Sequence, residues 1–396
     1  MKIAARIADL PTYVFAALGK RIAELQAQGV DVIRLDIGSP DLAPPDAVIE
    51  RMVEETRRPD RHGYAGFYGI PPFRQAVADF YRRRFDVALD PEREVLALIG
   101  SKEGIQHLPT AFADPGSVVL VPDPGYPTYR NPAILVGAEL YRMPLLRERG
   151  FLPDLRAIPE AVARRARILW LNYPNNPTSA IAPIEFLEEA VDFARHYDLL
   201  IAYDNPYSEI VWEGGPAPSI LQVPGAREVA VEFNSLSKMA NMAGWRVGMA
   251  VGNAEAIAAL ARVKTNADSG IFKPIQYAAA VALALPAEWH AERNAIYAER
   301  RRVVTRALDR MNLWYAPYGA TLYVWAEIPP HFASSADFTS RLLEETGVSL
   351  SPGSAFGPHG EGYVRISLVK PAQRLEEAME RWERWMIGDS LGIEVK

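Results

Sequence analysis

The chain has 396 residues, of which 49% are hydrophobic and 23% charged, and a formal net charge of −6; this length and balance allow two domains with full apolar cores and exclude an intrinsically disordered protein. The acidic balance argues against a general affinity for nucleic acid or anionic membrane, both of which require a basic surface. With no cysteine in the chain, disulfides, thiolate nucleophiles and Cys-ligated metals are also excluded.

In chain order, the first 20 residues carry Lys2, Arg6 and Asp9 and no uninterrupted apolar run, so neither a signal peptide nor a membrane anchor is expected, and a cytoplasmic location is. Residues 13–28 read as a helix and 32–37 as a strand, followed by the loop Gly38-Ser39-Pro40-Asp41. From about residue 95, short β-branched runs alternate with longer amphipathic ones, and strands are expected at 95–99, 118–121, 139–143, 168–172, 199–203, 230–233 and 247–251. Ile184, Leu187, Val191 and Ala194 recur at helical spacing after Pro183, as in a crossover helix that starts at a proline. Past residue 280 the pattern changes to long charged helices around 287–311 and 371–386, with strands near 321–326 and 362–367. The expected fold is therefore α/β, a mostly parallel seven-stranded sheet covered by helices, with a smaller α+β domain. Residues 1–44 would form an N-terminal arm and part of the small domain, 45–280 the large domain and 281–396 the small C-terminal domain, with the active site in the cleft between them.

The residues suited to chemistry follow predicted strands, where ligands bind in open α/β sheets. Gly100-Ser101-Lys102-Glu103-Gly104 opens an apolar helix, so free N–H groups and the positive end of the dipole await an anion there, with Ser101 as the expected N-cap; a plain capped helix is the alternative. Lys102 in that first turn suggests a compensating negative charge nearby. Asp204, at the end of strand 199–203, is either a buried cap or a partner for a cation in the cleft. Only eight of the 43 basic residues are lysines, which makes Lys238 conspicuous after Ser235-Leu236-Ser237. A lysine beside another cation and partly buried can lose its proton near neutrality and attack a carbonyl, although a surface loop is the commoner setting.

These pieces together resemble the fold-type I, class I/II aminotransferases over nearly the whole chain. The resemblance rests on Pro174-Asn175-Asn176-Pro177-Thr178, on Asp204 with Tyr207, on Ser235-Leu236-Ser237-Lys238 with Gly244-Trp245-Arg246, and on Tyr363-Val364-Arg365-Ile366-Ser367, in that order. It implies pyridoxal 5′-phosphate held as a Schiff base on Lys238, which would also shuttle the substrate proton. Asp204 would pair with the ring nitrogen, Tyr126 would stack on the ring, and Asn176 and Tyr207 would hydrogen-bond the phenolic oxygen. Ser101, Lys102, Ser235, Ser237 and Arg246 would hold the phosphate, and Arg365, with Gly38 and Asn176, the substrate carboxylate. Tyr64, in Tyr64-Ala65-Gly66-Phe67-Tyr68-Gly69, would reach the phosphate of the other subunit of a homodimer. Three positions depart from the family pattern: Ser179 stands where glycine is usual, Met239 where threonine is, and Ser39 replaces an acidic residue.

Within the family the chain most resembles the bacterial LL-diaminopimelate aminotransferases, through Gly100 to Gly104, Pro122-Asp123-Pro124-Gly125-Tyr126-Pro127 and Ser269-Gly270-Ile271-Phe272. That resemblance implies LL-diaminopimelate as donor and a 2-oxo acid such as 2-oxoglutarate as acceptor, with Lys102 and Lys273 as candidate partners for the distal carboxylate and a place in lysine biosynthesis. Alanine, aromatic or branched-chain donors, or a lyase reaction on the same cofactor, remain alternatives. A nicotinamide dehydrogenase is disfavoured because no G-x-G-x-x-G follows a predicted strand, and a transcriptional regulator because no basic helix-turn-helix extension precedes residue 30.

Overall fold

The computed structural model describes residues 1–8, 10 and 14–390. Twelve strands are named in chain order: β1 Ile33–Arg34, β2 Val95–Leu98, β3 Val118–Asp123, β4 Glu139–Pro144, β5 Ala166–Asn172, β6 Leu200–Asp204, β7 Ala230–Ser235, β8 Gly248–Gly252, β9 Tyr323–Glu327, β10 Val348–Ser349, β11 Ser351–Pro352 and β12 Tyr363–Ser367. Seven of them form one sheet in the order β2-β8-β7-β6-β5-β3-β4. The pairs from β7 through β4 are parallel, and β8 runs antiparallel to both β2 and β7. The α/β expectation and its mostly parallel sheet are therefore correct.

Central strands of this sheet are buried on both faces, which explains their near-continuous apolar runs. One face packs the core around Phe73, Tyr81, Leu187 and Val191, and the other the core around Leu108, Tyr129, Trp170 and Phe233. The crossover helix expected after Pro183 is Ile184–Tyr197, with Leu187, Val191 and Ala194 on its buried stripe.

A separate apolar core surrounds β9, β11 and β12, which pair antiparallel in the order β11-β12-β9. The two long charged helices flank it as Ala287–Arg310 and Ala372–Ser390. Strand β1 pairs in parallel with β10, so residues near the N-terminus join this second lobe. The helix read at 13–28 is Val14–Ala27; its expected first residue, Tyr13, lies outside the described residues. The strand read from 321 begins two residues later, because Thr321 has φ +67° and cannot enter an extended ladder. Among the described residues no helix is long and apolar enough to cross a membrane.

Candidate active site

Between the two lobes lies a cleft of about 380 Å³, lined by strand ends of the seven-stranded sheet and by residues of β1, β9 and β12. Every candidate cofactor or substrate residue named from the sequence lines it except Tyr64 and Lys273. Tyr64 is 86% exposed, and the Lys273 ammonium donates to the Asp60 carbonyl at 3.4 Å.

At the floor, β6 ends on Asp204, which is 4% exposed. The Tyr129 hydroxyl donates to its Oδ2 at 2.6 Å, whereas its buried Oδ1 has no hydrogen-bond partner among the described residues. Burial pushes this carboxyl up to about 7 from 3.8, against the pull of Tyr129. A buried carboxylate oxygen with no partner calls for a donor, which the N–H edge of a protonated pyridine ring would supply. Asn172, paired with Asp204 across β5 and β6, donates to the Asp204 carbonyl at 2.7 Å and accepts from the Asn176 backbone N–H at 2.8 Å, which fixes Asn176 beside it.

The opposite end is an anion cup. Helix Ser101–Phe112 opens into the cleft, and its N-cap is Gly100, with φ +71°. This corrects the expectation that Ser101 caps the helix: Ser101 is already the first helical residue, and the cap position needs the left-handed backbone that glycine adopts without strain. A Cβ on Gly100 would lie 2.2 Å from Nη2 of Arg246, so the missing side chain also admits that guanidinium. Ser235 caps the short helix Leu236–Met239, accepting from the Ser237 N–H at 3.2 Å and donating to the Ser237 hydroxyl at 2.9 Å. Arg246 Nη1 reaches the same Ser237 hydroxyl at 3.5 Å. Helix N–H groups, two hydroxyls and an arginine make a site for a phosphate.

Lys238 lies between floor and cup, and its ammonium donates to the carbonyl of Gly38. Burial, joined by the charges of Arg365 and Arg246, lowers its pKa from the ordinary lysine value, while Tyr323 opposes the shift. Gly38 owes its identity to close approach: a Cβ there would stand 2.2 Å from the Tyr323 hydroxyl. That hydroxyl lies 3.0 Å from the hydroxyl of Tyr207. Tyr126 adds an aromatic wall, packed edge-on against Tyr129.

Arg365, on β12, is 5% exposed. Its Nη1 donates to Asn176 Oδ1 at 2.9 Å, and its Nη2 to the Asp36 carbonyl at 2.8 Å and the Ser351 hydroxyl at 3.2 Å. The guanidinium lies 4.2 Å from the centre of the Tyr323 ring and 4.9 Å from that of Phe356. Its plane is thereby fixed, as bidentate capture of a carboxylate requires. Ser179 adopts φ +64°, the conformation that favours glycine, and its hydroxyl bonds Thr321 Oγ1 at 2.6 Å and the Tyr323 carbonyl at 3.0 Å. The departure from glycine is thus accommodated without disturbing the cleft.

Sequence reasoning missed Tyr129, Asn172, Asp36, Tyr323 and Phe356. It also missed Lys264, a fully buried ammonium bound to Glu103 at 2.8 Å and Asp268 at 2.7 Å, which anchors the first turn of the cup helix. Of these, only Lys264 carried a signal, the scarcity of lysine.

A family model, Aminotransferase class I and II, matches residues 30–381. The chain is 50% identical over 384 residues to the LL-diaminopimelate aminotransferase of Moorella thermoacetica, covering 97% of this chain and 98% of that protein. It is 52% identical over 379 residues to the enzyme of the same name from Desulforudis audaxviator, covering 96% of each. Among solved structures, substrate-bound BacF from Bacillus subtilis superposes with a TM-score of 0.93 at 36% identity, covering 97% of this chain and 98% of that one. An orphaned carboxylate oxygen, a phosphate cup and a low-pKa lysine between them fit pyridoxal 5′-phosphate, and with matches of this extent the chain belongs to the class I and II aminotransferases, enzymes that use that cofactor to pass an amino group from amino acids to oxo acids.

Proposed function

We propose that this enzyme takes LL-diaminopimelate as amino donor and 2-oxoglutarate as acceptor, working as a cytoplasmic homodimer. The observation that carries the donor is near-full-length identity of about half to relatives bearing that name. The cleft agrees with it: among the described residues that line it, the cations Arg34, Lys102, Lys238, Arg246 and Arg365 outnumber the carboxylates Asp36 and Asp204. A phosphate together with a dicarboxylic substrate would balance that surplus.

In this reading the bound cofactor supplies a protonated ring that accepts the electron pair left when the α-proton departs. Asp204 would hold the proton on the ring nitrogen, and Tyr126 would pack against the ring. Asn176 and Tyr207 would donate to the phenolic oxygen. Ser101, Lys102, Ser235, Ser237 and Arg246 would hold the phosphate. Arg365 clamps the α-carboxylate in the plane set by Tyr323 and Phe356, beside the Gly38 backbone, and so fixes which substrate bond faces Lys238. Lys238, with its pKa lowered, takes the α-proton and returns it one step later. Tyr64, with the neighbouring exposed Phe67 and Tyr68, supports a second copy of the chain completing the phosphate cup.

A panel of amino donors assayed with 2-oxoglutarate tests this. LL-Diaminopimelate should give the highest kcat/KM, and Lys238→Ala should abolish turnover. An alanine or aromatic donor exceeding it tenfold, a preference of roughly 1.4 kcal/mol at the transition state, would overturn the substrate and leave the aminotransferase.

A further inference from the structure

Beneath the floor of the cleft is a second carboxylate that the chemistry above does not use. Glu232, on β7, has no exposed surface and is not bound by any lysine, arginine or histidine among the described residues. Four donors from three segments surround it, two to each oxygen. The Tyr81 hydroxyl reaches Oε1 at 2.8 Å and Asn205 Nδ2 the same oxygen at 3.1 Å. The Ser219 hydroxyl reaches Oε2 at 2.5 Å and the Ile220 N–H at 3.2 Å. A buried carboxylate without a counter-ion is costly, and isosteric neutral side chains avoid the cost, so its charge calls for a use.

Its place in the sheet suggests one. Glu232 is in register with Tyr203 and Phe233 with Asp204, so the two carboxylates lie on neighbouring strands, one residue apart and on opposite faces. Asn205 joins them. It follows Asp204 directly, its N–H donates to the Phe233 carbonyl at 2.8 Å, and its side chain ends on Glu232. We propose that Glu232 is a positioning residue for the cofactor end of the site: its negative charge strengthens the hold of Asp204 and the ring nitrogen on their shared proton, and through Asn205 it fixes the chain leaving Asp204.

The donor set supports the charged form. The Ile220 N–H can only donate, and Asn205 presents its Nδ2, so a protonated Glu232 would leave its own O–H facing donors unless the Ser219 or Tyr81 hydroxyl or the Asn205 amide turned round. Burial pushes Glu232 up to about 7 while these donors pull it down. The titratable groups facing it are the phenols of Tyr81 and Tyr203 and, across the sheet, Asp204, whose own carboxyl is raised by burial and by Glu232.

The test uses the full-length enzyme loaded with pyridoxal 5′-phosphate and follows the visible band of the bound cofactor against pH. Glu232→Gln keeps the size and removes the charge. It should lower the midpoint of that titration by a few tenths of a unit, as expected for one charge removed on the order of 10 Å or more from the titrating group in a partly screened interior. A folded, cofactor-loaded Gln variant with an unchanged or raised midpoint overturns the proposal, because a scaffolding role alone does not move it. Should that variant fail to fold, Tyr81→Phe removes one of the donors that hold Glu232 charged and so favours its neutral form. It should move the midpoint the same way by less, and no movement there likewise overturns the proposal.

Discussion

Asp204 is held in a setting that favours its neutral form until the cofactor arrives, so replacing it should cost the empty protein stability at acid but not at alkaline pH, while destroying the enzyme. Its carboxyl titrates near 7 in the folded chain against 3.8 as the reference value. Because the folded value is raised, the stability it contributes is fully present below about pH 4 and lost as pH rises through 7. Three units correspond to about 4 kcal/mol, of which about 3 kcal/mol is lost between pH 5 and pH 8. The amide introduced by Asp204→Asn would not titrate. It would still accept from Tyr129, but its nitrogen would take the place of the unpartnered Oδ1, at a cost of about 1–3 kcal/mol. Cofactor-free Asp204→Asn should therefore be less stable than the parent at pH 5 and equal or more stable at pH 8. Urea titrations of both cofactor-free proteins at the two pH values measure the difference directly. With cofactor bound, the ring N–H supplies the carboxylate's missing partner and the pH dependence of the difference should shrink, while turnover of the variant falls at least about a hundredfold, or 3 kcal/mol. A stability difference independent of pH would refute the reasoning.

Two further substitutions address the ends of the cleft. Gly100→Ala places a methyl 2.2 Å from Arg246 Nη2 at a φ of +71°; losing that charge-assisted contact should weaken cofactor binding at least about tenfold, measured by equilibrium dialysis, with kcat near normal at saturating cofactor. Arg365→Lys should raise KM for every amino and oxo acid by about tenfold or more, because a point charge replaces a planar fork; a loss confined to one substrate in steady-state assays would mean that Arg365 reads a side chain instead.

The sheet was legible because its central strands are buried on both faces and bounded by glycine and proline, as at Val118–Asp123 before Pro124-Gly125. Most polar cleft residues, and the aromatic Tyr126 and Tyr207, were legible because they lie in motifs at or after strand ends. The aromatic residues Tyr129, Tyr323 and Phe356 were not. Tyr129 sits in a short turn, stacked on Trp170 at 4.9 Å, and locally it is indistinguishable from core. Tyr323 belongs to a strand of the second lobe, and only tertiary packing brings its hydroxyl to Tyr207, its ring to Arg365 and its bulk against Gly38. Glycine at 38 was readable as a turn, whereas its cause lies 285 residues away in β9. Asp36 contributes a backbone carbonyl to Arg365, a role that no side-chain pattern can announce.

The charges in the cleft depend on one another. Arg34 is bound to Asp36 at 2.6 Å, which neutralises that pair locally. Arg246 stands at the phosphate cup and Arg365 at the carboxylate end, and both charges lower the Lys238 pKa, adding to its burial. The same two cations that would bind the anionic parts of cofactor and substrate thus help to free the amine that must act as base. Filling the cup with phosphate would offset part of this repulsion and restore some of the lysine's basicity. Arg365 then remains, packed against the rings of Tyr323 and Phe356 and poised by Asn176 from the other lobe. A carboxylate arriving there would remove the second source of repulsion at the moment the proton is to be taken, so that binding itself raises the proton affinity of Lys238 when abstraction begins.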